Sequence, residues 1–374
     1  MCCKTNGWEP MVLGEDWFNS NSLQERRLAH LTGVKHKDCD HCWSVETKNL
    51  ESFRDPMLGA IKPIGTTTQK TYKKSYIEIK VSNTCNMSCR YCGPTFSSIW
   101  AERLNDDIHN KSAVTISKNS IDRKNLIQQF YNWLDNEIDN VEALIFTGGE
   151  VSITPQFYDI IEELNFKNVN IHINSSLNIP ENYMQKFEKV LHKLSINNKV
   201  YVRASLDCTE KQFEWQRQGG NWNLIKNNYF RLGKIPIHLV IGQTITMFSL
   251  EGLPTLGKFI ANSKDSFINY PKFSNTAHLV IWPHAFDPTE WIPSYKDDII
   301  KFLEIGNAND IIQHGLNKQL LSWIDRQYTL PKLETVQTMC NWLDNVQNKW
   351  GAVGDWREIY PKTNSIVNKV LTQT

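Results

Sequence analysis

A chain of 374 residues with 41 basic and 40 acidic side chains carries a net charge of +1, which leaves no charge excess to recruit a nucleic-acid backbone. No uninterrupted apolar run reaches the ~20 residues of a membrane span. The nine cysteines gather as Cys2/Cys3, Cys39/Cys42 and Cys85/Cys89/Cys92, with Cys208 and Cys340 apart; an odd count in short spacings favours metal or cluster ligation over disulfides.

Residues 1–60 read as a small, loop-rich unit. The start, Met1-Cys2-Cys3-Lys4, lacks the apolar core of a secretory signal. A helix is predicted around 22–31, followed by Cys39-Asp40-His41-Cys42, a C-x2-C pair with metal-ligand spacing. Adjacent cysteine side chains diverge, so one of the first pair, taken as Cys3, joins Cys39 and Cys42 as a candidate ligand. Cys2 also reads as a free terminal thiol or a lipidation target. His36 and His41 flank the pair, so a zinc site of Cys3His type suits these residues as well as an iron–sulfur site does. Residues 61–75, with Thr66-Thr67-Thr68 and several lysines, have no apolar period and read as a linker.

From 76 to 290 short apolar runs alternate with amphipathic segments. The runs are 76–82, 142–147, 169–174, 198–206, 236–247 and 277–282. Helical patterns lie between them, the clearest from Ser120 to Ile138; others start at Thr154-Pro155 and cover about 181–194 and 221–233. Strands alternating with helices predict βαβ units and a parallel sheet, an α/β fold. From 291 to 374 the pattern is mainly helical, with Trp323, Trp342, Trp350 and Trp356 among its apolar positions.

Cys85-Asn86-Met87-Ser88-Cys89-Arg90-Tyr91-Cys92 follows the first run, at the C-terminal end of a strand. Three thiolates at C-x3-C-x2-C can hold three corners of a 4Fe–4S cube, which normally takes four cysteines; the fourth iron is then open to another ligand. Two other readings stand beside this one: half of a zinc site completed by Cys39 and Cys42, or reduced free thiols. Gly148-Gly149-Glu150 ends the second run, where glycine permits close backbone approach and a carboxylate can receive an ammonium group. Asn174 ends the third run, as a turn residue or a site residue. Ser205 and Asp207 end the fourth on one side of the strand, and Asp207 reads either as a site residue or as a cap for the helix from Thr209. Arg217 precedes Gln218-Gly219-Gly220 and reads as a surface cation or as an anion partner. Cys208 reads as a small buried hydrophobe.

The cysteine spacing, with an aromatic just before the third cysteine and Gly-Gly-Glu one βα unit later, resembles the signature of the radical S-adenosylmethionine (radical SAM) superfamily. The resemblance implies a partial (βα)6 barrel with its chemistry at the C-terminal ends of the strands. It implies a 4Fe–4S cluster on Cys85, Cys89 and Cys92 whose open iron chelates S-adenosylmethionine. Reductive cleavage then yields a 5′-deoxyadenosyl radical, with an electron donor such as a flavodoxin or ferredoxin. By the same resemblance Glu150 and its glycines meet the methionine amino group, Tyr91 lies near the adenine, Ser205 near the methionine or ribose, Arg217 at the methionine carboxylate, and Asn174 and Asp207 near the cofactor. Residues 36–54, with Glu46 and Arg54 after Cys39 and Cys42, together with Cys-Gly-Pro-x-x-Ser-Ser-x-Trp from Cys92 to Trp100, resemble SPASM/twitch proteins, which carry an auxiliary Fe–S cluster and act on peptide or protein side chains. The chain departs from that pattern in lacking a cysteine upstream of Cys2, and in placing the module before the barrel. Reduced thiols and an oxygen-sensitive cluster lead to the expectation of a cytoplasmic protein. Two competing classes are a zinc-stabilised binding protein and a cluster-bearing scaffold without catalysis.

Overall fold

The structure is a computed structural model that describes residues 14, 20–47, 75–104, 120–163, 166–275, 277–280, 283–324, 330–350 and 354–373. Cys2, Cys3, Arg54 and residues 61–74 of the expected linker lie outside the described residues, and Ser75 opens the first strand.

Six strands form one sheet: β1 (Ser75–Ser82), β2 (Val141–Gly148), β3 (Asn170–Ser175), β4 (Lys199–Ser205), β5 (His238–Gly242) and β6 (Lys272–Phe273). They pair in sequence order and every pairing is parallel. Parallel neighbours require a crossover, and helices supply it: Ser120–Glu137, Pro155–Glu163, Glu181–Ser195, Trp222–Leu232 and Met247–Ser263. β1 and β6 do not pair with each other, so the sheet is an open, partial barrel.

The two faces of the sheet differ in a way that fixes the site. Leu144, Phe146, Ile171, Ile173, Val202, Ala204 and Ile241 are fully buried beneath the helices. The alternate residues Ile145, His172, Asn174, Tyr201, Arg203, Ser205 and Val240 are half-buried and line the opposite, concave face. There the rings of His172, Tyr201 and His238 stack across three strands at centroid distances of 4.6 and 5.0 Å. The next layer toward the strand ends holds Asn174, Arg203 and Val240 in register.

The sixth run predicted from sequence is corrected. Within 277–282, His278–Leu279 pairs with Thr244–Ile245 in a separate two-stranded ribbon. The sixth strand of the sheet is the two-residue Lys272–Phe273, directly after Pro271, too short to show alternation. The fifth run, 236–247, is broken between β5 and that ribbon at Gln243. Beyond 291, helices Lys296–Asn309, His314–Ile324, Leu333–Trp350 and Pro361–Thr372 follow, and Trp323 and Trp356 are buried. Among the described residues no helix is long and apolar enough to cross a membrane.

Candidate active site

The three clustered cysteines sit on the loop leaving β1, at the C-terminal end of the barrel strands. This loop is held residue by residue by the segment that follows it. Ser98 Oγ accepts from the Cys85 N–H at 3.2 Å, Ser97 Oγ donates to the Met87 carbonyl at 2.8 Å, and Trp100 Nε1 donates to the Cys89 carbonyl at 2.9 Å. Ser97 also caps helix Ser98–Arg103, which ties the helix start to the loop. From below, Ser88–Cys89 forms an antiparallel ribbon with Arg217–Gln218, and Arg103 Nη1 bridges Ser88 Oγ and Gln218 Oε1 at 2.8 and 3.1 Å.

The glycines of the second strand end have a packing reason. Gly148 has φ +139°, and a Cβ there would lie 2.2 Å from the Ser82 carbonyl oxygen; a Cβ on Gly149 would lie 2.2 Å from that of Thr84. The bare backbone instead closes on the exit of β1, with Gly149 N–H and Glu150 N–H each donating at 2.8 Å to the same two carbonyls. Gly149→Ala therefore forces backbone apart immediately before Cys85. It is expected to cost about 1–3 kcal/mol and to lower both the melting temperature and the iron loaded on reconstitution. Unchanged loading would show that the two loops are not coupled.

Glu150 is buried, and its carboxylate meets five donors of the protein itself. Oε1 accepts from Ser152 N–H (3.3 Å), Ser152 Oγ (2.6 Å) and Ser175 Oγ (2.8 Å), while Oε2 accepts from Ser176 N–H (2.7 Å) and Ser176 Oγ (2.5 Å). The carboxylate thus locks the ends of β2 and β3 together. Any ammonium group meeting this turn faces a carboxylate already saturated by hydroxyls and amides.

Asp207 and Arg217 resolve two of the alternatives left by the sequence. Asp207 is fully buried and does not cap the following helix. It pairs with Arg217 through Nε–Oδ2 at 2.9 Å and Nη2–Oδ1 at 3.1 Å, accepts the Thr244 N–H at 2.8 Å, and accepts the Tyr91 hydroxyl. Arg217 is buried, not a surface cation, and its Nη1 reaches Cys89 Sγ at 4.0 Å. Its guanidinium also lies 5.5 Å from the Tyr91 ring centroid. Burial opposes the charge on Arg217, but Asp207, Tyr91 and Cys89 around it hold its pKa well above the ordinary value. Tyr91 meets Phe286 edge-on, and burial pushes its phenol well up.

The donor set fits a cluster. Cys85, Cys89 and Cys92 are all free thiols. Burial, and after it the charge of Cys89, push Cys85 up and Cys92 up to about 12, so the sulfurs converge closely enough to feel one another. Burial also raises Cys89, opposed by the facing Arg217. Among the described residues no three His, Cys, Asp or Glu side chains close on a single ion-sized point. The neutral thiols of the metal-free fold give a pH expectation. Unfolded cysteine deprotonates near pH 9, whereas folded Cys92 keeps its proton to about pH 12. That contribution to stability is complete below about pH 9 and falls as pH rises through this window. The melting temperature of the metal-free protein is expected to drop above about pH 9; a flat profile would place the thiols in solvent.

A polar ligand fits the barrel mouth. Asn174 and Ser205 are half-buried at strand ends and make no side-chain hydrogen bond among the described residues. Just beyond β5, both side-chain polar atoms of Gln243 are buried and without a hydrogen-bond partner among the described residues. Gln243 was missed by sequence reasoning because it stood inside an apolar run, and its break in the strand leaves no local pattern.

The N-terminal pair is placed less completely. Cys39 and Cys42 are buried, and the turn leading to them is built by His36 Nδ1 accepting the Asp38 N–H and by Arg26 pairing with Asp38 at 2.7 Å. Cys3 lies outside the described residues. No curated protein matches this chain. Residues 79–248 match the family model described as Radical SAM superfamily, and the matched stretch carries the three thiols, the Gly-Gly-Glu turn, Ser205, Asp207 and Arg217.

Proposed function

We propose that this protein reductively cleaves S-adenosylmethionine and uses the resulting 5′-deoxyadenosyl radical to abstract a hydrogen atom from a substrate held in the barrel. The observation that supports this best is the loop of three neighbouring free thiols at the mouth of a half-open parallel barrel. When bound to Cys85, Cys89 and Cys92, a 4Fe–4S cluster supplies one electron to the sulfonium and an open iron for the methionine moiety. The chain's own residues orient and shield. Ser97, Ser98 and Trp100 fix the three-cysteine loop. Gly148, Gly149 and Glu150 hold the second strand end against it. Asn174 and Ser205 offer half-buried polar side chains to the cofactor and Gln243 offers buried unpartnered polar atoms, and Tyr91 with Phe286 closes the side of the cluster against water.

The electron donor in this reading is a flavodoxin or ferredoxin, the compartment the reducing cytoplasm, and the substrate a peptide or protein side chain. Cys39 and Cys42, with Cys3, are proposed to hold an auxiliary Fe–S cluster of SPASM/twitch type. Anaerobic reconstitution with iron and sulfide tests the proposal: about eight irons per chain support two cubes, and about four leave only the cluster on Cys85, Cys89 and Cys92. Reconstituted protein that yields no 5′-deoxyadenosine under reductant would overturn it.

A further inference from the structure

We propose that the barrel lumen binds an oxyanion of the substrate, a carboxylate or a phosphate, on Arg203 together with Ser274 and His278. This names the substrate class for the radical SAM reading and rests on it for the site's purpose. Arg203 stands on β4, two residues before Ser205, on the half-buried concave face. Its side chain crosses β5. A Cβ at Gly242 would come within 2.5 Å of Arg203 Nε and 2.7 Å of its Cγ, so glycine at this point is what lets the guanidinium lie across the strand. It ends at the far edge of the sheet, where Nη2 donates to Ser274 Oγ at 2.7 Å and lies 3.3 Å from His278 Nε2.

Neither partner supplies a negative charge. Arg26, Arg217 and Arg231 all pair with carboxylates, whereas Arg203 has no carboxylate partner among the described residues. Arg90 also lacks one, but it is fully buried with its face 4.2 Å from the Trp215 ring, closed off from the lumen. Arg203 instead opens on the lumen, and a guanidinium has five N–H donors in a fork that matches carboxylate and phosphate. The titratable groups near it are His278, against its Nη2, and His172 one layer below. Burial, and after it the Arg203 charge, hold His172 below its ordinary range. Burial alone pulls Arg203 down. A cation withdrawn from water without a counter-charge is costly, and an incoming anion removes that cost. Lys80, near enough to Cys92 to feel its charge, marks the same level of the barrel as lying under the three-cysteine loop. An anion on Arg203 therefore sets the substrate beneath the cofactor.

The test is arginine labelling of the anaerobically reconstituted protein with methylglyoxal, mapped by mass spectrometry, with sodium acetate, inorganic phosphate or S-adenosylmethionine added separately. Arg203 is expected to react, and to react about tenfold more slowly with an oxyanion present at about ten times its dissociation constant. Protection by acetate alone identifies a carboxylate substrate, and protection by phosphate a phosphorylated one. An Arg203 that does not react, that no oxyanion protects, or that S-adenosylmethionine alone protects would overturn the assignment. The same preparation is assayed for 5′-deoxyadenosine under reductant. Cleavage without oxyanion protection sinks this inference alone, and protection without cleavage sinks the radical SAM reading alone.

Discussion

Cys89→Ala is expected to abolish both the iron–sulfur chromophore and 5′-deoxyadenosine formation while leaving the fold in place. The backbone groups that shape the loop at this point are independent of the thiol: the Cys89 carbonyl accepts from Trp100 Nε1 and from the Cys92 N–H, both at 2.9 Å, and alanine keeps both bonds. What is lost is one of the three thiols proposed to hold the cluster. Cys208 is buried in the core and engaged by Gln216 Nε2 at 3.1 Å. Cys208→Ala is therefore the control, expected to cost about 1–3 kcal/mol of stability but to load the same iron. Iron counting and the visible spectrum on both variants decide the matter. Cleavage that survives Cys89→Ala would sink the proposed mechanism, and equal iron loss in Cys208→Ala would show that the assay reads folding in place of ligation.

Legibility differed between the elements for physical reasons. Three of the predicted helices appear within a residue or two as Ser120–Glu137, Glu181–Ser195 and Trp222–Leu232, and Pro155 opens its helix as expected. Amphipathic periodicity survives where one face packs on a sheet. β6 was illegible because two residues carry no period, and the apolar run at 277–282 drew the assignment instead. The thiol loop was legible because its spacing is local. The partners of Asp207 were not, since Tyr91, Arg217 and Thr244 come from three other segments that only the barrel brings together. Glu150 shows the same limit: its sequence context offered a carboxylate at the mouth, but three of the five donors around it come from Ser175 and Ser176 at the end of β3, which only the sheet brings to it. Arg203 gave no signal at all, because a single arginine in an alternating strand looks like a solvent-facing residue until the sheet curves around it.

Breaking the Asp207–Arg217 pair is expected to have the largest effect on stability of any single substitution near the site. Asp207 is fully buried and the Arg217 side chain is 8% exposed, so Asp207→Asn strands a guanidinium away from water and should cost about 3–5 kcal/mol, with the acceptor lost to either Tyr91 or the Thr244 N–H adding to it. Asp207→Asn combined with Arg217→Met removes the stranded charge and should recover part of the melting temperature. No recovery would mean that the network matters through Tyr91 and Thr244 and not through the ion pair. Arg217→Met alone separates structure from electrostatics. It leaves a carboxylate facing Cys89 where a cation stood 4.0 Å from the sulfur. Cluster potentials follow local charge and hydrogen bonds to the sulfurs, and the reduced cluster carries the extra negative charge, so the midpoint potential of the reconstituted protein should fall. A potential that does not move, measured by redox titration, would show that Arg217 only shapes the loop. A potential that falls with iron content intact would identify the pair as the element that makes the cluster reducible by a biological donor.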